Sequence, residues 1–255
     1  MSGDAPGPEL EAYGALPRQV GEWWLPPDDP GGPLTTVLLV HGGFWRAKYD
    51  LTLEHAVAAD LAAGGCLVWN VDYRSSADPW PSTLLDVALA HDHLAVSRHR
   101  ERVDPDRLSV VGHSAGGHLA LWLASRDRLP DGAPGAGRRG PRFAAAVAQA
   151  GVVALADAAR AGLGDGAALL LVGGGPDELP DRYAVADPLA LLPTGVPTTC
   201  VHGLHDVDVP LSQSEAYVEA SGGAARLVTF DGGHDEHLDP ASDACAAMRA
   251  ALAVA

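Results

Sequence analysis

One segment near the middle of the chain restricts the possible folds more than any other. Residues 108–118 read LSVVGHSAGGH, so an apolar run leads into Gly112-x-Ser114-x-Gly116, and the apolar stretch 119–124 follows. The run predicts a buried strand and the stretch predicts a helix, which requires a sharp turn at Ser114. A Cβ atom at either glycine would collide with the strand or the helix. We therefore predict a strained turn that exposes the Ser114 hydroxyl at the positive end of the helix dipole.

Strand-like and helix-like segments alternate through most of the rest of the chain. The predicted strands are 19–25, 35–40, 66–71, 143–148, 198–201 and 225–230, and the other predicted helices are 53–63, 82–94, 211–220 and 241–253. This alternation predicts an α/β protein with a mostly parallel sheet and helices on both faces.

The remaining segments define the predicted domain organisation. We expect residues 1–12 to form a disordered tail and residues 13–255 to form a single domain. Residues 129–141 are rich in proline, glycine and arginine and are predicted to be a flexible loop. Residues 152–192 have a blurred pattern, and we interpret them as a small excursion near the site, too short for a full cap domain.

The composition excludes several classes of partner. The chain has 255 residues, is 47% hydrophobic and carries a formal charge of −16, which argues against nucleic acid or an anionic membrane as a partner. It contains no signal-peptide pattern and no run of 18 apolar residues, so we expect a soluble, cytoplasmic protein. The three cysteines have no metal-binding spacing, and 234–237 lacks the H-E-x-x-H pattern, so no metal and no cofactor are predicted.

Two later segments supply the groups that a serine nucleophile needs. A serine hydroxyl is a weak nucleophile at neutral pH and requires a base, which in turn requires an orienting acid. His234 follows the predicted strand 225–230 and is the candidate base, while Asp206 follows the strand before it and is the candidate acid. The carboxyl ends of parallel strands meet at one edge of a sheet, so these side chains are expected to converge with Ser114. Two alternatives stay open, namely Asp208 as the acid and His237 as the base.

A glycine pair after the strand 35–40 predicts an anion-binding turn. The tetrahedral intermediate of acyl transfer carries an oxyanion that needs two or three N–H donors. Gly42 and Gly43 allow the main chain to approach closely, and the N–H groups of Phe44 and Ala115 are the candidate donors. Next to these segments, Trp45 is predicted to form a pocket wall and Tyr73 to contact the edge of the site.

Four fragments together resemble a known superfamily. They are His41-Gly-Gly-Phe-Trp45, Val71-Asp-Tyr-Arg74, residues 112–118, and the pair Asp206 and His234 in that order. They are similar to the α/β-hydrolases, and within that superfamily to hormone-sensitive-lipase-like esterases and kynurenine formamidase-like enzymes. Lipase-like esterases usually have a third glycine where Phe44 stands, and the aromatic-Trp version is more typical of the formamidase-like group.

The resemblance implies cleavage of a small acyl ester or an aryl formamide through an acyl-enzyme on Ser114, without a cofactor. Two alternatives remain. One is a small-peptide or amide hydrolase of the prolyl-oligopeptidase-like branch, and the other is a non-catalytic binding protein with the same fold. The sequence leaves both a monomer and a homodimer open.

Overall fold

The computed structural model describes residues 7–254 and contains one eight-stranded sheet. The strands are β1 (Glu9–Ala12), β2 (Val20–Trp24), β3 (Leu34–Val40), β4 (Leu67–Val71), β5 (Val103–His113), β6 (Ala145–Gln149), β7 (Thr198–Gly203) and β8 (Ala225–Phe230). Their spatial order is β1-β2-β4-β3-β5-β6-β7-β8. β2 pairs antiparallel with both β1 and β4, and the five remaining pairs are parallel. The predicted fold class, a mostly parallel α/β sheet, is confirmed.

Eight α-helices within the described residues accompany the sheet. They are α1 (His55–Ala63), α2 (Ser82–His93), α3 (Ala115–Ala124), α4 (Leu155–Arg160), α5 (Leu163–Val172), α6 (Pro180–Ala186), α7 (Ser212–Ala220) and α8 (Asp243–Leu252). None of the helices described between residues 7 and 254 combines the length and the apolarity needed to cross a bilayer.

The alternation of side chains along each strand divides the core into two layers. In β3, Val37 and Leu39 belong to the layer that contains residues of α1 and α8. Leu38 and Val40 belong to the larger layer on the opposite face, which contains residues of α2 and α3. Every one of these four side chains is completely buried, as expected of a strand covered on both faces. The predicted helices on both faces of the sheet are therefore confirmed.

The N-terminal segment differs from its prediction. Residues 1–6 lie outside the described residues, but Glu9–Ala12 form the edge strand β1 rather than a disordered tail. This strand has little apolar character of its own, and it forms because the longer strand β2 pairs with it. The indole N–H of Trp23 also donates a hydrogen bond of 2.7 Å to Glu11 Oε2. Tertiary pairing thus outweighs local propensity here.

The predicted excursion between residues 152 and 192 contains the three short helices α4, α5 and α6. At its start α5 is irregular, because residues 164–166 have left-handed backbone angles. Arg46 Nη2 donates a 2.7 Å hydrogen bond to the carbonyl of Gly164, which joins the excursion to the turn after β3.

The segment 129–141 contains no helix or strand. The Arg126 side chain donates to the Gly135 carbonyl at 2.8 Å, and Gly140 N–H donates to Asp92 at 3.0 Å. Its predicted flexibility stays a prediction.

Candidate active site

Ser114 lies at the turn between β5 and α3 in a strained backbone conformation. Its φ and ψ angles are 57° and −118°, in the region that side chains other than glycine rarely adopt. A Cβ atom at Gly112 would approach the Gly116 carbonyl oxygen to 2.1 Å, and one at Gly116 would approach Val40 O to 1.9 Å. Ser114 N–H donates to Gln149 O on the neighbouring strand at 2.8 Å. The two glycines therefore permit the close packing that holds the serine in this turn.

His234 and Asp206 form a hydrogen-bonded pair beside this turn. The chain brings them together because β7 and β8 are neighbouring parallel strands and each residue follows the end of its strand. His234 Nδ1 lies 2.7 Å from Asp206 Oδ2. A carboxylate can only accept, so Nδ1 carries the proton and Nε2 is left as the free basic nitrogen. His234 makes no hydrogen bond to Ser114 here, although both residues line the same cavity.

Asp206 is held in its ionised form by its surroundings. Its side chain is fully buried, and burial alone would raise the pKa of the carboxyl group. Contacts with His202 and His234 and the N–H of Val209 outweigh burial and hold the pKa well below its usual range. Oδ1 also accepts the N–H of Asp208 at 2.9 Å. An ionised acid next to His234 is the arrangement that orients an imidazole base.

The two alternative residues occupy different positions. Asp208 is exposed at the cavity, and only its backbone N–H contacts Asp206. The imidazole of His237 is completely buried against Phe230, and neither ring nitrogen has a hydrogen-bond partner. Burial, followed by the charge of nearby histidines, lowers the pKa of His237 well below its usual value. Among the four residues, only His234 and Asp206 form a side-chain hydrogen bond with each other.

The turn that follows β3 lies against Ser114. A Cβ atom at Gly42 would come within 3.1 Å of the Ser114 Cβ, and Gly43 and Phe44 have φ angles of 102° and 49°. Among the described residues, no hydrogen bond occupies the N–H of Phe44 or of Ala115. Two free donors therefore exist in the turns on either side of the serine, as an oxyanion hole requires.

The prediction that Trp45 and Tyr73 contact the substrate does not agree with their positions. Both side chains are about 1% exposed and neither lines the cavity at Ser114. Trp45 has a φ angle of 54°, and its indole packs edge-on against the ring of His118 in the core. Tyr73 donates its hydroxyl to the His41 carbonyl at 2.8 Å and stacks on the imidazole of the same residue. Both aromatic residues therefore support the turn from beneath.

A cavity of about 230 Å³ contains Ser114 and His234. Its other lining residues are Gly43, Phe44, Tyr49, Leu53, His113, Asp208, Asp235 and Leu238. A larger cavity of about 520 Å³ lies beside α2 and contains neither Ser114 nor His234.

His113 is a neighbour of the site that the sequence analysis did not identify. Its Nε2 lies 3.0 Å from the carbonyl oxygen of His234 and its ring lies beside the His234 ring. Burial, followed by the charge of His234, lowers the pKa of His113 to about 3, so this ring stays neutral. The only sequence signal was its place beside Ser114 in the turn. Within residues 7–254, no group of three histidine, cysteine or acidic residues is arranged to hold a metal ion.

Three features together define the class of protein. They are a serine in a strained strand-to-helix turn, a mostly parallel eight-stranded sheet, and a hydrogen-bonded histidine and aspartate that follow the last two strands. The protein is an α/β-hydrolase. Residues 24–220 match the BD-FAE family, and the chain belongs to that family. The finer resemblance to formamidase-like enzymes stays a prediction.

Relatives and solved structures of similar fold agree with this class. The chain is 28% identical over 219 residues to the esterase LipC of Mycobacterium tuberculosis, an alignment that covers 81% of this chain and 53% of LipC. The chain therefore spans about half the length of the curated relatives it matches. A carbohydrate esterase from gut microbiota superposes with a TM-score of 0.81 at 20% identity and covers 99% of this chain and 97% of its own. An acetyl ester-xyloside bifunctional hydrolase from Caldicellulosiruptor lactoaceticus gives 0.72 at 24% identity, with coverage of 97% and 94%.

Proposed function

We propose that the protein is a serine carboxylesterase that cleaves small acyl esters through an acyl-enzyme on Ser114. The observation that carries this proposal is the His234–Asp206 hydrogen bond of 2.7 Å, made by a histidine that shares a cavity with the strained serine. The esterase relatives support the same class of reaction. In the α/β-hydrolase fold, this set of groups is the usual machinery for acyl transfer.

The mechanism follows from the hydrogen bonds of the site. Ser114 Oγ attacks the ester carbonyl and its proton passes to His234 Nε2, because Nδ1 already donates to Asp206. The oxyanion accepts hydrogen bonds from the N–H groups of Phe44 and Ala115. Each such donor contributes roughly 3 kcal/mol to transition-state stabilisation. His234 then protonates the departing alcohol. It next takes a proton from water, whose oxygen attacks the acyl carbon, and it returns that proton to Ser114 Oγ as the carboxylic acid departs.

The cavity favours a small acyl group. Its volume of about 230 Å³ is below the roughly 300–1,000 Å³ of pockets that enclose drug-sized ligands. Phe44, Leu53 and Leu238 supply apolar walls, while Asp208 and Asp235 are exposed and have no cationic partner among the described residues. Neutral short-chain esters fit this lining better than long-chain or anionic ones.

Acetyl esters of carbohydrates are a second candidate substrate class. Two solved proteins of similar fold are a carbohydrate esterase and an acetyl ester-xyloside bifunctional hydrolase. The free carboxylates of Asp208 and Asp235 at the cavity can accept hydrogen bonds from sugar hydroxyl groups. We propose carbohydrate acetates as substrates to be tested beside simple esters.

The decisive experiment compares wild type with Ser114→Ala. The substrates are p-nitrophenyl acetate, butyrate and octanoate, an acetylated xylo-oligosaccharide and N-formylkynurenine. We expect turnover of the short esters by wild type and a loss of at least about 10³-fold in kcat in the variant. Labelling of wild type by a fluorophosphonate, detected by intact mass, should disappear with the same substitution.

Matched controls separate chemistry from folding. Ser109→Ala changes a serine on β5, the strand that leads to Ser114, at a position outside the cavity. This variant should keep full turnover and labelling. Asp206→Asn should lower kcat by up to about 10⁴-fold while Asp208→Asn keeps most activity. A much higher kcat/KM on N-formylkynurenine would move the assignment to an arylformamidase, and preference for peptide amides would move it to the prolyl-oligopeptidase-like branch. Absence of any Ser114-dependent turnover or labelling would reject the esterase and favour a binding protein.

We propose a cytoplasmic location for this enzyme. Cys66, Cys200 and Cys245 are all buried free thiols, which fits a reducing compartment.

A further inference from the structure

His202 lies beneath the candidate catalytic acid and is not explained by the roles proposed so far. It is near the end of β7, and its imidazole is completely buried. It lines no part of the cavity at Ser114, so it cannot contact a substrate there. Ser214, on the first turn of α7, is also completely buried and faces the same ring.

The contacts of the His202 ring define which nitrogen carries its proton. Nε2 lies 2.9 Å from the Val209 carbonyl oxygen and 3.3 Å from Asp206 Oδ2, and both of these atoms can only accept. Nε2 therefore carries a proton that points mainly at Val209 O. Nδ1 lies 2.8 Å from Ser214 Oγ, and in the neutral ring it accepts the hydroxyl proton. The acceptors at Nε2 thus fix the tautomer, and Ser214 helps to fix the orientation of the imidazole.

This ring supports the loop that holds Asp206. Val209 contacts His202 through its carbonyl and donates its N–H to Asp206 Oδ1 at 2.8 Å. The same nitrogen of His202 also faces Oδ2, the oxygen that accepts from His234. His202 therefore acts on the acid twice, through the position of Val209 and through direct electrostatic contact with the carboxylate.

We propose that His202, fixed by Ser214, is a positioning residue that maintains the geometry of the Asp206–His234 pair. The inference rests on the proposed serine-hydrolase function and extends it by two residues. Without His202, both Val209 O and Asp206 Oδ2 lose a partner in a buried environment, and the carboxylate is less firmly held. His234 is then less well oriented as a base, which slows the chemical step and leaves substrate binding unchanged.

The test combines kinetics on p-nitrophenyl acetate with proton NMR of the 255-residue chain. The variants are His202→Leu, His202→Gln and Ser214→Ala. We expect kcat to fall about tenfold in His202→Leu and about threefold in Ser214→Ala, with KM within about twofold of wild type. The low-field resonance of the His234 Nδ1 proton, assigned by its loss in His234→Gln, should broaden or vanish in His202→Leu. His202→Gln keeps an amide N–H that can reach the Val209 carbonyl, so it should restore part of kcat and of the resonance.

The control is His205→Leu, which changes an exposed histidine on the same loop that is bonded to Asp231. It should leave kcat and the resonance as in wild type. A His202→Leu enzyme with normal kcat and a normal resonance would overturn the inference, as would a wild type in which the resonance is absent. If His202→Leu does not fold, Ser214→Ala and His202→Gln decide by the same criteria. The NMR arm does not depend on turnover, so failure of the esterase proposal is distinguishable from failure of this one.

Discussion

Glu54 contributes a carboxyl group that has no hydrogen-bond partner on either oxygen. The side chain is completely buried at the start of α1, next to Leu53, which lines the candidate active site. Burial raises the pKa of this carboxyl to about 8 from its ordinary value of 4.5. The group is therefore protonated in the folded protein over a range in which it ionises in the unfolded chain.

The pH dependence of stability follows with a defined sign. Since the folded-state pKa is raised, the contribution of Glu54 to stability is fully present below about pH 4.5 and is lost as the pH rises to about 8. A shift of this size lowers the free energy of unfolding at high pH by an amount on the order of 5 kcal/mol. We expect Glu54→Gln, which cannot ionise, to stabilise the protein at pH 8 and to have little effect at pH 4.5.

The measurement is the free energy of unfolding from urea titrations at several pH values. Glu178→Gln, at an exposed position in the excursion, is the matched control and should leave the pH profile of wild type unchanged. Parallel profiles for wild type and Glu54→Gln between pH 4.5 and pH 8 would contradict the assignment.

At the scale of elements, the excursion of α4–α6 is joined to the turn after β3 by two contacts. Arg46 donates to the Gly164 carbonyl, and the Phe44 ring packs directly over the Gly164 Cα. A Cβ atom at Gly164 would lie 2.6 Å from that ring. The excursion thus helps to determine where the Phe44 N–H points.

Gly164→Ala is expected to impair catalysis through this contact. The new methyl group must displace the Phe44 ring, and the proposed oxyanion donor moves with it, so kcat should fall by about tenfold or more. Gly162→Ala is the matched control, because Gly162 has a similar φ angle of 65° but no atom within 4 Å of an added Cβ. Kinetics on p-nitrophenyl acetate and thermal melting of both variants separate displacement of the Phe44 ring from backbone strain. Equal losses of kcat in the two variants would show that backbone strain alone is responsible.

At the scale of the whole molecule, we expect the negative charge of the chain to affect which of the proposed substrates approach the cavity. The chain carries a formal charge of −16, and no lysine or arginine lines the cavity at Ser114. Asp208 and Asp235 add negative charge at the cavity itself. An anionic ester is therefore repelled both at long range and at the site.

We expect 4-acetoxybenzoate to be hydrolysed with a kcat/KM about tenfold lower than that of phenyl acetate at low ionic strength. Added salt should bring the two kcat/KM values closer together, because exposed charges are screened beyond about 10 Å at 0.1 M. The double variant Asp208→Asn, Asp235→Asn should reduce the difference in kcat/KM further, whereas Asp243→Asn on α8 should not. A ratio that does not respond to salt would indicate a steric cause.

The sequence predicted which residues lie just after the ends of strands. It did not predict where a side chain points when that direction depends on packing. The central turn and the pair Asp206 and His234 follow from chain order and from the adjacency of parallel strands. Trp45 directly follows Phe44 in the turn after β3, but its left-handed backbone rotates the indole into the core. His202 precedes the strand end by one residue and gave no signal, because its role depends on contacts with α7 and Val209 that only the fold creates.

The order of the strands gives the reactive groups unequal protection. Ser114 follows β5, an interior strand, whereas His234 follows β8, which has the open edge of the sheet on its far side. Edge elements open locally at lower free-energy cost than interior ones. We therefore expect the turn at Ser114 to open at a higher free-energy cost than the segment that holds His234. If Ser114 and His234 carry the proposed reaction, we expect heat or denaturant to abolish turnover before the sheet as a whole unfolds.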